Sequence, residues 1–122
     1  MMKQIIPSDI YRGLPCSVVS VGCACQVEDL SGLSAFVSDD LHSDGYLSLD
    51  GMNRLIRANK RVKKTQYFKR WQRPTLKDWA CEHPGQKAVI CLLGHFIYFD
   101  GQDYHSFFVN DNDPVVKVWF LL

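Results

Sequence analysis

The sequence predicts an α+β fold, with N-terminal helices packed on a C-terminal antiparallel sheet in one domain spanning residues 1–122. Three observations lead there. Helical spacing and helix-capping residues fall in the first two thirds of the chain. Alternating or continuous β-rich runs dominate after Gly85. At 122 residues the chain has the length of one domain and contains no internal repeat or low-complexity tract.

Residues 1–14 read as an extended arm or loop, punctuated by Pro7, Gly13 and then Pro15. Residues 16–26 are uncharged, apolar and small, which predicts a buried helix. Gly22 works against it, at about 1 kcal/mol relative to alanine. Residues 29–37 predict a short helix with Leu30, Leu33 and Phe36 or Val37 on one face, and the acidic stretch through Gly45 predicts a loop. Ser48 or Asp50 then caps a helix whose apolar face is Met52, Leu55 and Ile56, with Asn59 near its stop.

Residues 62–68 (VKKTQYF) are β-rich and suit an edge strand. Thr75, with Asp78 three residues on, begins another helix that Pro84 and Gly85 end. KAVICLL predicts a continuous buried strand and GHFIYFD a second. DGQD is a hairpin-type turn, YHSFFVND the return strand, and VVKVWFLL the last strand.

Composition excludes several classes. With 47% hydrophobic and 22% charged residues and a net charge of +1, the chain matches neither a disordered nor a collagenous protein. No apolar run approaches the roughly 18 residues that span a bilayer. The start, MMKQIIPSDI, has no apolar core and no small-residue cleavage site, so a cytoplasmic location is expected. Five cysteines are an odd count, and in a reducing compartment free thiols are the default.

Charge is unevenly distributed. Six carboxylates lie between Glu28 and Asp50 without a Lys or Arg among them, and nine of the fourteen basic residues lie between Arg54 and Arg73 without an acid. A solvated helix face followed by an edge strand blunted with lysines accounts for the basic segment. Phosphate tracking is the alternative.

Chemistry centres on GLPCSVVSVGCACQ, residues 13–26. Cys16 would begin a helix, where the backbone dipole and unsatisfied N–H groups favour thiolate and can hold an oxyanion. Cys23 and Cys25 lie deeper in that helix and read as packed thiols. A thiol nucleophile needs a base, and His95 in LLGHFIYFDG is the histidine placed between two apolar runs. A hairpin turning at DGQD returns residues 108–111 beside it. Asn110 or Asp111 there could accept from the imidazole Nδ1–H and fix its tautomer, and alternation alone does not choose between them.

These pieces (PCSVVSVGCAC, GHFIYFDG and FFVNDNDP, in that order) resemble the papain-like cysteine peptidase superfamily, in its small bacterial and phage forms and its bacteriocin-processing domains. The resemblance implies a papain-like architecture and a peptidase or amidase acting on a peptide or protein substrate. Cys16 would be the nucleophile, His95 the base, Asp111 or Asn110 the orienter, and no cofactor would be needed. In that superfamily a glutamine shortly before the cysteine completes the oxyanion hole. Here Gln4 is twelve residues upstream, with Ser8, Tyr11 or a backbone group as substitutes.

Three other readings compete. Zinc is disfavoured, because no Cys or His pair has structural-zinc spacing and Cys23 and Cys25 would point about 200° apart on a helix. Single-strand nucleic-acid binding would use RANKRVKKTQYFKRWQR, where Tyr67, Phe68 and Trp71 interleave with cations, although the near-neutral total charge opposes a dedicated binder. A papain-like domain that binds a peptide without cleaving it is the third. His42, in the acidic loop, His83, at a helix end, and His105, on the return strand, are read as surface or secondary groups.

Overall fold

The computed structural model of the chain describes residues 2–29 and 48–122. The short helix expected at 29–37 and the acidic loop through Gly45 lie outside the described residues, apart from Asp29. In chain order the elements are β1 (Gln4–Ile5), α1 (Cys16–Ala24), α2 (Leu49–Asn59), β2 (Val62–Tyr67), α3 (Leu76–Glu82), β3 (Ala88–Leu92), β4 (His95–Phe99), β5 (Tyr104–His105) and β6 (Val115–Leu121). Short 3₁₀ turns occupy Asp9–Tyr11 and Arg70–Gln72.

The strands form one six-stranded sheet in the order β1-β5-β4-β3-β6-β2. This is α+β as expected, but the sheet is mixed rather than antiparallel. The N-terminal arm contributes β1, which pairs parallel to β5, Gln4 with Tyr104 and Ile5 with His105. Two residues are too few for a periodic signal, so the sequence showed an extended arm or loop without the strand in it.

Strand β3 explains why helices lie on both faces. It pairs with β4 on one side and β6 on the other, and all five of its residues are buried. Alternation sends Val89 and Cys91 to one face, where they pack with α1, α2, Phe96, Tyr98 and Trp119. Ala88, Ile90 and Leu92 face the other way, against Leu76, Trp79 and Ala80 of α3 together with Ile97, Phe99 and Phe120. The sequence placed the helices together. The structure instead sets α3 across the sheet from the other two.

Helix starts follow the capping residues. Ser48 Oγ accepts from Gly51 N–H at 3.1 Å, and Thr75 Oγ1 accepts from Asp78 N–H at 3.2 Å. Asn53 of α2 accepts from the indole N–H of Trp119 at 3.0 Å, which ties that helix to the sheet. As expected, β2 lies at the sheet's outer edge, paired with β6 and exposed along most of its length.

Helix α1 ends in a Schellman motif: Val27 N–H bonds to Gly22 C=O and Gln26 N–H to Cys23 C=O, with Gln26 in the left-handed region at φ 58°. Gly22 has a separate role. The fully buried Tyr11 ring lies against it so closely that a Cβ there would sit 2.4 Å from the hydroxyl and 2.6 Å from a ring carbon. The Tyr11 hydroxyl donates to the Val27 carbonyl, locking the arm onto the far end of α1. Gly22→Ala should therefore destabilise the protein, although alanine favours a helix by about 1 kcal/mol. Displacing the ring costs about 1–3 kcal/mol, so the urea midpoint should fall; a midpoint that rises would mean the ring yields freely.

Candidate functional site

Cys16 owes its place to a turn and a proline. Arg12 (φ −62°, ψ 132°) and Gly13 (φ +79°) form a type II turn closed by Leu14 N–H to Tyr11 C=O at 3.1 Å. Only glycine adopts that second position without strain. Pro15 follows as N-cap with an extended ψ of 145° and no side chain able to accept a bond. Its carbonyl takes the first helical bond, from Val19 N–H at 3.1 Å. Among the described residues, the N–H groups of Cys16, Ser17 and Val18 are thus the uncapped donors of the helix start.

His95 opens β4 directly after the two-residue turn Leu93–Gly94 that joins it to β3, and it pairs with Leu92. Cys16 and His95 line one cavity of about 250 Å³, whose other walls are Leu14, Val19, Phe96, Ser106, Phe107 and Phe108. The two residues singled out as nucleophile and base are therefore neighbours in space.

The group that orients His95 is not the expected one. Imidazole Nε2 lies 2.8 Å from Ser106 Oγ and 3.1 Å from the Phe108 carbonyl oxygen. Ser106 Oγ also donates to that carbonyl at 2.8 Å and accepts from Phe108 N–H at 3.2 Å. A carbonyl can only accept, so Nε2 carries the proton and Nδ1 is the basic nitrogen. This reverses the sequence expectation, in which Nδ1–H was the tethered end.

Asp111 and Asn110 are not brought to the ring by hydrogen bonds. The reason is that β5 stops after two residues: Ser106 bonds its own chain two residues on and turns it out of the ladder. Asn110 Oδ1 accepts from Asn112 N–H at 2.9 Å, while Asn110 also lines a cavity of about 480 Å³ beside His95 with Gln4 and Asp113. Asp111 is exposed, and its carbonyl accepts Lys77 N–H at the start of α3. The carboxylate that acts on His95 through its charge is Asp113. Ser106 was missed by sequence reasoning. The only signal for it was hairpin arithmetic: extending the pairing of Tyr98 with His105 sets Phe108 opposite His95.

Burial lowers the His95 pKa from 6.5, partly opposed by the Phe108 bond and the Asp113 charge. The ring is consequently neutral at pH 7, with Nδ1 free to take a proton. Burial pushes Cys23 and Cys91 up to about 11 and raises Cys25, so all three are poor nucleophiles.

The groups considered for an oxyanion hole are engaged or elsewhere. Gln4 Nε2 donates to the carbonyls of Ser106 and Phe107 at 3.0 and 2.9 Å, bracing the segment that holds His95. Tyr11 bonds Val27, and Ser8 lines a different cavity with Cys23 and His105. The helix-start N–H groups remain the donors beside Cys16. A groove lined by Ile6, Arg12, Gly13, Leu14, Phe107 and Phe108 continues from the Cys16 cavity, and Phe108 is 78% exposed at its rim. Among the described residues, no three His, Cys, Asp or Glu side chains are arranged to hold a metal ion, and no helix is long and apolar enough to cross a membrane.

Compared with protein-family models, curated proteins and solved structures, the chain matches none. Fold and site together describe a mixed α+β domain in which a cysteine at a helix start and a carbonyl-tethered histidine line one cavity.

Two outcomes follow from this geometry. Ser106→Ala removes the acceptor of Phe108 N–H and one partner of Nε2–H, which should cost about 1–3 kcal/mol in urea unfolding. In ¹⁵N spectra His95 should keep the Nε2–H tautomer in both proteins, because the Phe108 carbonyl can only accept; appearance of Nδ1–H in the variant would show that the serine sets the tautomer. Second, a histidine whose folded pKa lies below its unfolded value contributes stability above pH 6.5 that is lost as pH falls through the folded pKa. Unfolding free energy should therefore decline with acidification below pH 6.5, and His95→Gln should flatten that decline. Parallel curves for the two proteins would show that His95 protonates equally in both states.

Proposed function

We propose that the chain is a thiol hydrolase of papain-like type that cleaves a peptide or amide bond, with Cys16 as nucleophile and His95 as base. The observation that carries this reading is the cavity lined both by Cys16, at a helix start, and by His95, whose Nε2 is tethered to the Phe108 carbonyl. The apolar groove beyond it, with exposed Phe108 and Ile6, suits a peptide segment as substrate.

In the proposed reaction Nδ1 takes the thiol proton as Sγ attacks the substrate carbonyl carbon. The carbonyl π pair moves onto oxygen, and the oxyanion is held by the N–H groups at the start of α1. The intermediate collapses, the C–N bond breaks, and imidazolium returns its proton to the leaving amine. Water then attacks the thioester, giving a proton to Nδ1. The C–S bond breaks, a carboxylic acid leaves, and the thiol is restored. The net change is amide plus water to acid plus amine. Ser106, the Phe108 carbonyl and Gln4 act as positioning groups, because each touches His95 or the segment that holds it.

One observation favours the non-cleaving alternative: the Gln4 amide is turned to backbone carbonyls and leaves the oxyanion to main-chain donors. The test is iodoacetamide labelling against pH, followed by intact mass in a Cys81→Ser background because Cys81 is exposed. Labelling of Cys16 that outpaces a simple free thiol at about pH 7, and that slows in His95→Ala, is the expected result. Labelling that rises only near the unperturbed thiol value of about 8.5, equally in both proteins, would leave a binding module.

A further inference from the structure

The basic segment plays no part in the Cys16 chemistry, and the fold gathers it onto one border of the molecule. It runs from Arg54 on α2, through the edge strand β2, to Arg73 after the second 3₁₀ turn. All thirteen acids of the chain lie outside this segment, together with only five basic residues. A near-neutral total therefore conceals a strongly cationic edge on an otherwise acidic molecule.

Seven of the nine cations there are exposed: Arg54, Arg57, Arg61, Lys63, Lys64, Lys69 and Arg70. The contacts that several of these cations make involve neutral groups. Arg57 bonds the Asn53 amide, Lys63 the Gln86 amide, and Arg73 the Phe68 carbonyl. Lys64 and Lys69 lie over the rings of Phe120 and Trp71. None of these contacts neutralises charge.

Protection of a sheet edge explains lysines on β2, and so does the bulge between Val62 and Lys64. It does not explain bare aromatic rings. Trp71 is 79% exposed and Tyr67, the last residue of β2, is 57% exposed, whereas Trp79 and Trp119 are fully buried. A tryptophan left in water beside Lys69 and Arg70 has no role in edge protection. Two exposed rings interleaved with cations along one border supply stacking faces for bases and counter-charges for phosphates. An acidic polypeptide would use the charges but has no need of the rings.

We propose that this edge, from Lys63 to Arg73, binds single-stranded nucleic acid, with Trp71 and Tyr67 stacking on bases and Lys69 and Arg70 pairing with phosphates. The site is separate from Cys16 and His95, and neither residue enters its test.

The experiment is fluorescence anisotropy of a labelled oligothymidine of about 16 nucleotides, the upper end of single-domain site sizes, titrated with the full chain between about 50 and 200 mM salt. Binding that weakens linearly in log–log form with salt is expected. Trp71→Ala should weaken it about tenfold without changing the salt slope, and Lys69→Gln with Arg70→Gln should make the slope shallower. Because all three side chains are exposed, thermal midpoints should match the wild type. Intrinsic tryptophan emission should also be quenched by the oligonucleotide, and this quenching should vanish in Trp71→Phe. Absence of binding at the lowest salt would overturn the proposal. So would equal binding of polyglutamate that is insensitive to Trp71→Ala, which would make the edge an acidic-protein surface. Preference for a duplex of the same length, with Trp71 irrelevant, would also overturn it.

Discussion

Strand β3 is apolar at every position and buried on both faces, and this constraint organises the rest of the domain. Its two faces each need a cover, which α1 with α2 supplies on one side and α3 on the other. Its two edges each need a partner, β4 and β6. The β3–β4 connection is the two-residue turn Leu93–Gly94, so the first residue after it, His95, is held at the end of the most deeply buried hairpin. Helix α1 lies chiefly over β4, and this contact carries Cys16 to the histidine. The site is thus a consequence of how the centre of the sheet is covered.

What the sequence made legible were features with strong local causes. Ser48 and Thr75 announced helix starts because their hydroxyls satisfy backbone donors there. Pro15 followed by an uncharged run announced the start of α1 and thereby Cys16. KAVICLL could only be a buried strand. The features that escaped depend on non-local pairing. β1 exists because Lys3 and Ile5 carbonyls meet the N–H groups of Tyr104 and Ser106, a match between opposite ends of the chain. Gly22 read as a flaw in a helix, and its reason is the ring of Tyr11, placed there by the preceding turn. The orienter of His95 escaped because the return strand was assumed to run straight to Asn110 and Asp111. Ser106 bends it first, and no periodicity shows where a serine will choose its own backbone over the ladder.

A backbone carbonyl in place of a carboxylate has an electrostatic consequence. A carboxylate bonded to Nε2–H would stabilise imidazolium strongly and raise the histidine pKa. The Phe108 carbonyl fixes the same tautomer with a dipole alone, while burial acts in the opposite direction and prevails. The ring is held in the right orientation but stays neutral until it receives a proton.

That balance bears on how the pair divides its labour. In the proposed reaction a neutral His95 accepts the Cys16 proton as the thiol attacks, whereas a carboxylate-tethered ring would favour a standing thiolate–imidazolium pair before substrate arrives. The charge formed on the ring during the reaction must then be stabilised by what lies near it. Asp113, the residue whose charge acts on His95, sits across the neighbouring cavity with Gln4 and Asn110. In that reaction its carboxylate would stabilise imidazolium through space without fixing the resting state as an ion pair. Orientation and charge stabilisation, which one carboxylate can supply together, are here divided between the Ser106–Phe108 turn and Asp113. A site divided in this way can lose Asp113 and keep its geometry, or lose Ser106 and keep its field.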